Sequence, residues 1–196
     1  MSRYKRFLWI LVAVLGAVMV YQFFMMNKNK TTYKQTYYKS EYIFSNDSTS
    51  VSIHTVAGFL FKKPEDLKKA MDQFKSLSNK DKLKAYNNMF TKLSKSIKKP
   101  IRALSYQSTM TAESTTALKI EENGVVSGLV SSTDDLVKIS MGKVDMKLDK
   151  NSKVIFSIPK GSKLISVLPT PTSVDGNELI WKGPMDLKFP EVDYKK

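Results

Sequence analysis

The sequence predicts an α+β fold: an N-terminal transmembrane helix followed by a mainly antiparallel sheet packed with a helical hairpin. Three observations lead there. Residues 7–26 form an uncharged apolar run. Residues 64–97 repeat apolar side chains every three or four positions. The stretches on either side alternate apolar and polar residues at period two. Strand patterns, then helices, then strands again, in blocks rather than in strict alternation, are the pattern of an α+β chain.

The run from Phe7 to Met26 holds twenty residues with no charge, no proline and one glycine, Gly16. A helix rising about 1.5 Å per residue would cross a hydrocarbon core of about 30 Å over that length. A cleaved secretory signal has a shorter apolar region of about 7–15 residues, closed by small side chains. This run ends in Tyr21-Gln22-Phe23-Phe24-Met25-Met26, so an uncleaved anchor is expected. The chain has no cysteine, which excludes a lipid-modified lipoprotein and any disulfide framework.

Arg3, Lys5 and Arg6 flank the run on one side, and Lys28, Lys30, Lys34 and Lys39 on the other. A short basic tail usually stays cytoplasmic, and long domains cross largely regardless of their own charge, so the C-terminal part is expected outside the cell membrane. The chain then divides into a basic cytoplasmic tail (1–6), a transmembrane helix (7–26), a polar stalk (27–32) and an extracytoplasmic domain (33–196). Asn29-Lys30-Thr31 and Asn46-Asp47-Ser48 fit the glycosylation acceptor pattern, which only some cells use.

Within the domain, Tyr38, Tyr42 and Phe44 recur at even spacing, Asn46-Asp47-Ser48 marks a turn, and Val51, Ile53, Thr55, Ala57 and Phe59 alternate after it. This predicts a hairpin. Pro64-Glu65-Asp66 opens a first helix, with proline in the first turn and acids at the positive end of the dipole. Leu67, Met71, Phe74 and Leu77 share its apolar face. Ser78 and Asp81, spaced as a capping box, open a second helix whose stripe is Leu83, Tyr86, Phe90, Leu93 and Ile97, and Pro100 ends it.

Beyond Pro100 the period is two. Leu104, Tyr106, Ser108, Met110 and Ala112 form one side of a strand whose other side is wet. Asn123-Gly124 between Leu118–Ile120 and Val125-Val126 predicts a tight hairpin turn. Val137, Ile139 and Met141 continue the alternation, and Gly142-Lys143 is expected to shift the register by a bulge before Val144, Met146 and Leu148. Residues 154–158 and 164–168 read as short strands, and Asp175-Gly176 turns the chain into a strand over 178–181.

The closing segment carries a resemblance. Phe156-Ser157-Ile158-Pro159-Lys160-Gly161, then Pro169-Thr170-Pro171, then Leu179-Ile180-Trp181-Lys182-Gly183-Pro184 looks like a pattern of uncharacterised archaeal and bacterial membrane-anchored surface domains. There a strand ending in Pro-x-Gly precedes a kinked strand and a tryptophan-bearing one. The resemblance covers the last fifth of the chain. It implies an extracytoplasmic β-rich domain and brings no activity or site residues with it.

No catalytic, cofactor-binding or metal-ligating set is expected. The single histidine, His54, sits in a strand pattern without the glycine elbow that exposes a serine nucleophile. One histidine and no cysteine leave zinc without its usual nitrogen and sulfur ligands. The acid pairs Glu65-Asp66, Glu121-Glu122 and Asp134-Asp135 each have a structural place: a helix start, the approach to a hairpin and a turn. Ser96 and Lys99 match Ser-x-x-Lys, but the companion motifs of penicillin-recognising enzymes are missing. An alternative reading is a membrane-tethered hydrolase of an envelope polymer, using Asp134 or Asp135 with His54.

Charge supplies the remaining signal. Lysine and arginine number 32 against 18 acids, a net charge of +14. Residues 62–99 alone hold twelve lysines and four acids, over half of that excess. At about 100° per residue, Lys80, Lys84, Lys92, Lys95, Lys98 and Lys99 fall opposite the stripe of Leu83, Phe90 and Ile97. Such a face suits anionic lipid headgroups or an acidic envelope polymer. Nucleic acid is disfavoured because Arg102 is the only arginine after the apolar run, whereas base readout and bidentate phosphate contacts favour arginine. The leading expectation is a single-pass, non-enzymatic extracytoplasmic domain with an interaction or envelope role and an unidentified protein partner.

Overall fold

The structure, a computed structural model, describes residues 33–46, 49–133, 135–142 and 144–196. The expected anchor at 7–26, the stalk and Asn29 lie outside the described residues, and among those described no helix is long and apolar enough to cross a membrane. The α+β expectation is corrected. The described chain is mostly β, 54% strand against 19% helix.

Strand β1 (Tyr33–Ile43) and strand β2 (Ser50–Phe61) pair antiparallel, as the alternation around Asn46 predicts. Helix α1 (Pro64–Ser76) and helix α2 (Asn79–Ile97) follow. Ser78 caps α2 by accepting the Asp81 N–H at 3.1 Å, and Lys98 closes it in the left-handed region, φ 56°. Next come β3 (Arg102–Ala112), β4 (Ala117–Ser127), β5 (Val130–Thr133), β6 (Leu136–Ile139), β7 (Asp145–Leu148) and β8 (Ser152–Ser157). The chain ends with β9 (Lys163–Leu168), β10 (Ser173–Asp175), β11 (Glu178–Lys182), β12 (Met185–Lys188) and β13 (Glu191–Lys195).

These strands build three sheets. The largest has seven strands in the order β10-β11-β8-β1-β2-β4-β3; the others are β5-β6-β13-β9 and β12-β7. All pairings are antiparallel except β1 with β8, which run parallel at the centre of the large sheet. One hydrophobic cluster joins all three sheets to α2. Tyr42, Phe156 and Trp181 of the large sheet meet Phe90 of α2, Ile139 and Val192 of the four-stranded sheet and Leu187 of the ribbon. A second, smaller cluster puts Leu67 and Ala70 of α1 on Phe59, Phe61, Leu118 and Ile120.

Two turn expectations are corrected. Asn123-Gly124 is no hairpin turn: both residues lie inside β4, which pairs with β2 and β3 along its whole length. Gly124 is there for space. A Cβ at that position would lie 2.6 Å from the Tyr86 hydroxyl and 2.8 Å from its ring, so the missing side chain lets α2 settle on the sheet. Asn123, on the opposite face, accepts a 2.9 Å hydrogen bond at its side-chain Oδ1 from Nδ1 of His54 on β2. Gly142 does not bulge one continuous strand either. With φ at 75°, it turns the chain out of the four-stranded sheet, where β6 pairs with β5 and β13, into the ribbon, where β7 pairs with β12.

The Tyr86 ring is buried and stacked on Tyr106, so it has little room to yield. Gly124→Ala is therefore expected to cost about 1–3 kcal/mol, the range for overpacking a filled core. Urea denaturation checks this. A cost near zero would mean that the Tyr86 ring yields and that Gly124 does not set the approach of α2.

Candidate functional site

The structure does not bring His54 and Asp135 of the alternative hydrolase reading together. His54 lies on the open face of the large sheet, opposite Glu41 of β1 and Asn123 of β4. Asp135 lies in the turn between β5 and β6 of another sheet, where its carbonyl accepts the Lys196 N–H at 3.0 Å; Asp134 lies outside the described residues. Among the described residues no group of three His, Cys, Asp or Glu could hold a metal.

The lysine face is partly as expected. Lys80, Lys84, Lys92, Lys95 and Lys98 are exposed along α2 and its cap. Lys99 leaves the face. Its Nζ turns inward and donates to the Ser140 carbonyl at 2.5 Å and the Leu129 carbonyl at 3.4 Å, tying the end of α2 to the four-stranded sheet. Burial pushes its pKa below the ordinary lysine value, with Glu191 opposing in part. Lys82, also on α2, is buried, with its ammonium 3.7 Å from the centre of the Phe74 ring.

Sequence reasoning missed the most unusual group in the molecule. On the covered face of the large sheet a polar row crosses four strands. Ser108 of β3 lies opposite Glu122 of β4, Glu122 opposite Thr55 of β2, and Thr55 opposite Ser40 of β1. Glu122 is 3% exposed, and the Tyr106 hydroxyl donates to its Oε1 at 2.5 Å. Ser40 and Thr55 share a 3.1 Å hydroxyl hydrogen bond. Tyr106 in turn stacks on Tyr86, ring centroids 4.3 Å apart. Among the described residues, the buried Glu122 Oε2 has no partner at hydrogen-bonding geometry, and the buried Tyr38 and Tyr42 hydroxyls have only the Ser40 and Thr55 hydroxyls near them.

Burial dominates the electrostatics of this row. It pushes the Glu122 carboxyl up to about 8, although the Tyr106 hydrogen bond pulls the other way. Desolvation likewise raises Tyr38, Tyr42, Tyr86 and Tyr106 above the ordinary tyrosine value, and the Glu122 carboxyl adds to the rise at Tyr38, Tyr86 and Tyr106. At neutral pH Glu122 is thus a neutral acid inside the sheet, hydrogen-bonded by Tyr106 and, among the described residues, without a basic partner. The arrangement can bind and release one proton. Its depth keeps a polymer away from the carboxyl. A signal for it did exist in the sequence: Leu118, Ile120, Glu122, Gly124 and Val126 continue one period-two face through the supposed turn.

This pKa fixes a pH dependence. Between the ordinary 4.5 and about 8 the native chain keeps a proton that the unfolded chain has lost. The native state then binds more protons, so this group lowers stability as pH rises, by at most about 1.4 kcal/mol per pH unit, and the slope ends above the folded value. Glu122→Gln is expected to remove that slope and to gain on the wild type as pH rises. Chemical denaturation at a series of pH values checks it; parallel profiles for the two proteins would contradict it.

Among curated proteins, none matches the chain. Residues 33–195, from the start of β1 to the end of β13, match the family described as a domain of unknown function (DUF4897), and the chain belongs to that family.

Proposed function

We propose that the chain is a single-pass membrane protein whose family domain faces the outside of the cell and serves in interaction or envelope organisation rather than in catalysis. The observation that carries this reading is the uncharged run Phe7–Met26 with Arg3, Lys5 and Arg6 before it, long enough for a bilayer and lacking a cleavage site. The likeness of the Pro159-Lys160-Gly161 and Trp181 segments to archaeal and bacterial surface domains supports the same placement.

The exposed lysines of α2 suggest what the domain touches. Lys80, Lys84, Lys92, Lys95 and Lys98 make a surface for anionic headgroups or an acidic envelope polymer. Each basic residue near an anionic bilayer contributes about 1 kcal/mol, and the attraction decays over about 8–10 Å at physiological salt. Lysine is a point charge without geometric demands, so the contact selects charge rather than sequence.

Protease treatment of intact cells is expected to remove a C-terminal tag; a tag that survives until the membrane is broken would contradict the outward orientation. In a second measurement, residues 33–196 are sedimented with neutral and acidic liposomes at low and physiological salt. Preference for the acidic ones is expected, and it should weaken when Lys84, Lys92 and Lys95 become glutamine. Equal binding to both would reduce the face to ordinary solvated surface.

A further inference from the structure

A second concentration of lysine lies on the open face of the large sheet, where β1, β8 and β11 run side by side. Lys39 is directly opposite Lys153 in the parallel pair, and Lys153 is directly opposite Lys182 in the antiparallel one. At strand spacings of about 4.7–4.9 Å, the three backbone positions span about 10 Å. Like charges directly opposite one another destabilise a sheet. Here two such pairs share Lys153. Among the described residues only Lys39 of the three has an ion-pair partner, Glu41 at 3.0 Å.

The same residues line a cavity of about 310 Å³, with Lys150 as a fourth lysine and Tyr37 and Asn151 beside them. Its floor is fixed by backbone. Asn151 accepts the Tyr38 N–H at 3.2 Å, Gly183 donates to the Ser152 carbonyl at 2.9 Å, and the Asn151 side chain donates to the Thr36 carbonyl at 3.0 Å. Gly183 sits so close to the Asp149 carbonyl that a Cβ would lie 2.0 Å from it. The β7–β8 turn and the end of β11 are thus locked together, and the lysine stems rise from a rigid base.

We propose that this cavity is a binding site for a phosphate-bearing anion carrying at least two negative charges, either free or as part of a lipid headgroup. Four lysines line this one small cavity, and Glu41 pairs with only one of them, Lys39, so the remaining positive charge exceeds what a single carboxylate would neutralise. A phosphate offers several acceptor oxygens, and lysine serves it as a mobile point charge. The opposed lysines cost stability in the empty protein and gain their counter-charge on binding. The site is separate from the α2 face and does not depend on the direction in which the chain is anchored.

The test uses the full chain in nanodiscs of zwitterionic lipid, titrated with inorganic phosphate and with pyrophosphate by calorimetry. Saturable binding is expected, tighter for pyrophosphate. Lys153→Gln should weaken it at least about tenfold and raise the melting temperature measured without anion, whereas Lys92→Gln on α2 should leave it unchanged. In a parallel arm the melting temperature is compared in phosphatidylglycerol and phosphatidylcholine discs. A Lys153-dependent rise only in the acidic discs, with no pyrophosphate binding, assigns the site to headgroups. Absence of both effects would overturn the proposal. So would equal weakening by Lys92→Gln, or a Lys153→Gln variant that loses stability and keeps its binding.

Discussion

The contact between Tyr86 and the bare backbone at Gly124 governs how the helical layer meets the sheet. β4 lies between β2 and β3 for its full length, so its covered face decides what fits above the centre of that half. Gly124 leaves room for Tyr86, and Tyr86 carries α2 down far enough to stack on Tyr106. Tyr106 then reaches Glu122 with its hydroxyl. Steric exclusion at one position, a ring stack and a hydrogen bond thus form a chain from the helix to the buried carboxyl. Widening any of these contacts would loosen the next.

Glu122 and its row lie between two apolar regions of unequal size. The larger cluster joins the three sheets and α2; the smaller lies under α1. Aromatic packing holds the larger one, where Phe156 touches Tyr42, Phe44, Trp181 and Phe189 at centroid distances of 5.0 to 5.4 Å. The row between them is only partly satisfied, and a neutral carboxyl costs far less to bury there than a carboxylate would. The open face of the same sheet carries the opposite imbalance, lysines set against lysines on β1, β8 and β11. Both departures from lowest energy sit on one rigid scaffold, where strain of this kind is usually kept for function.

Much of this was legible from local pattern. The β1–β2 hairpin, both helices, the Ser78 cap and the β10–β11 turn follow from periodicity and from turn and cap chemistry, which act within a few residues. What was not legible depends on partners distant in sequence. Asn123-Gly124 has the composition of a turn, yet pairing on both sides and the approach of Tyr86 keep it extended. Gly142 fits a bulge until the separate partners of β6 and β7 are known. The lysine row needs the parallel β1–β8 register, which joins residues more than a hundred positions apart. Lys99 shows the limit of a helical wheel, since the helix ends at Ile97 and the chain turns before it.

Burial makes Glu122, set among tyrosines, a neutral acid at physiological pH. The most direct measurement is the ¹³C chemical shift of its side-chain carboxyl, assigned by difference with Glu122→Gln and followed from mildly acidic to mildly alkaline pH. A protonated shift is expected at neutrality, with a midpoint near the value of about 8 that burial imposes. A carboxylate shift at neutral pH, with a midpoint in the ordinary range, would contradict it.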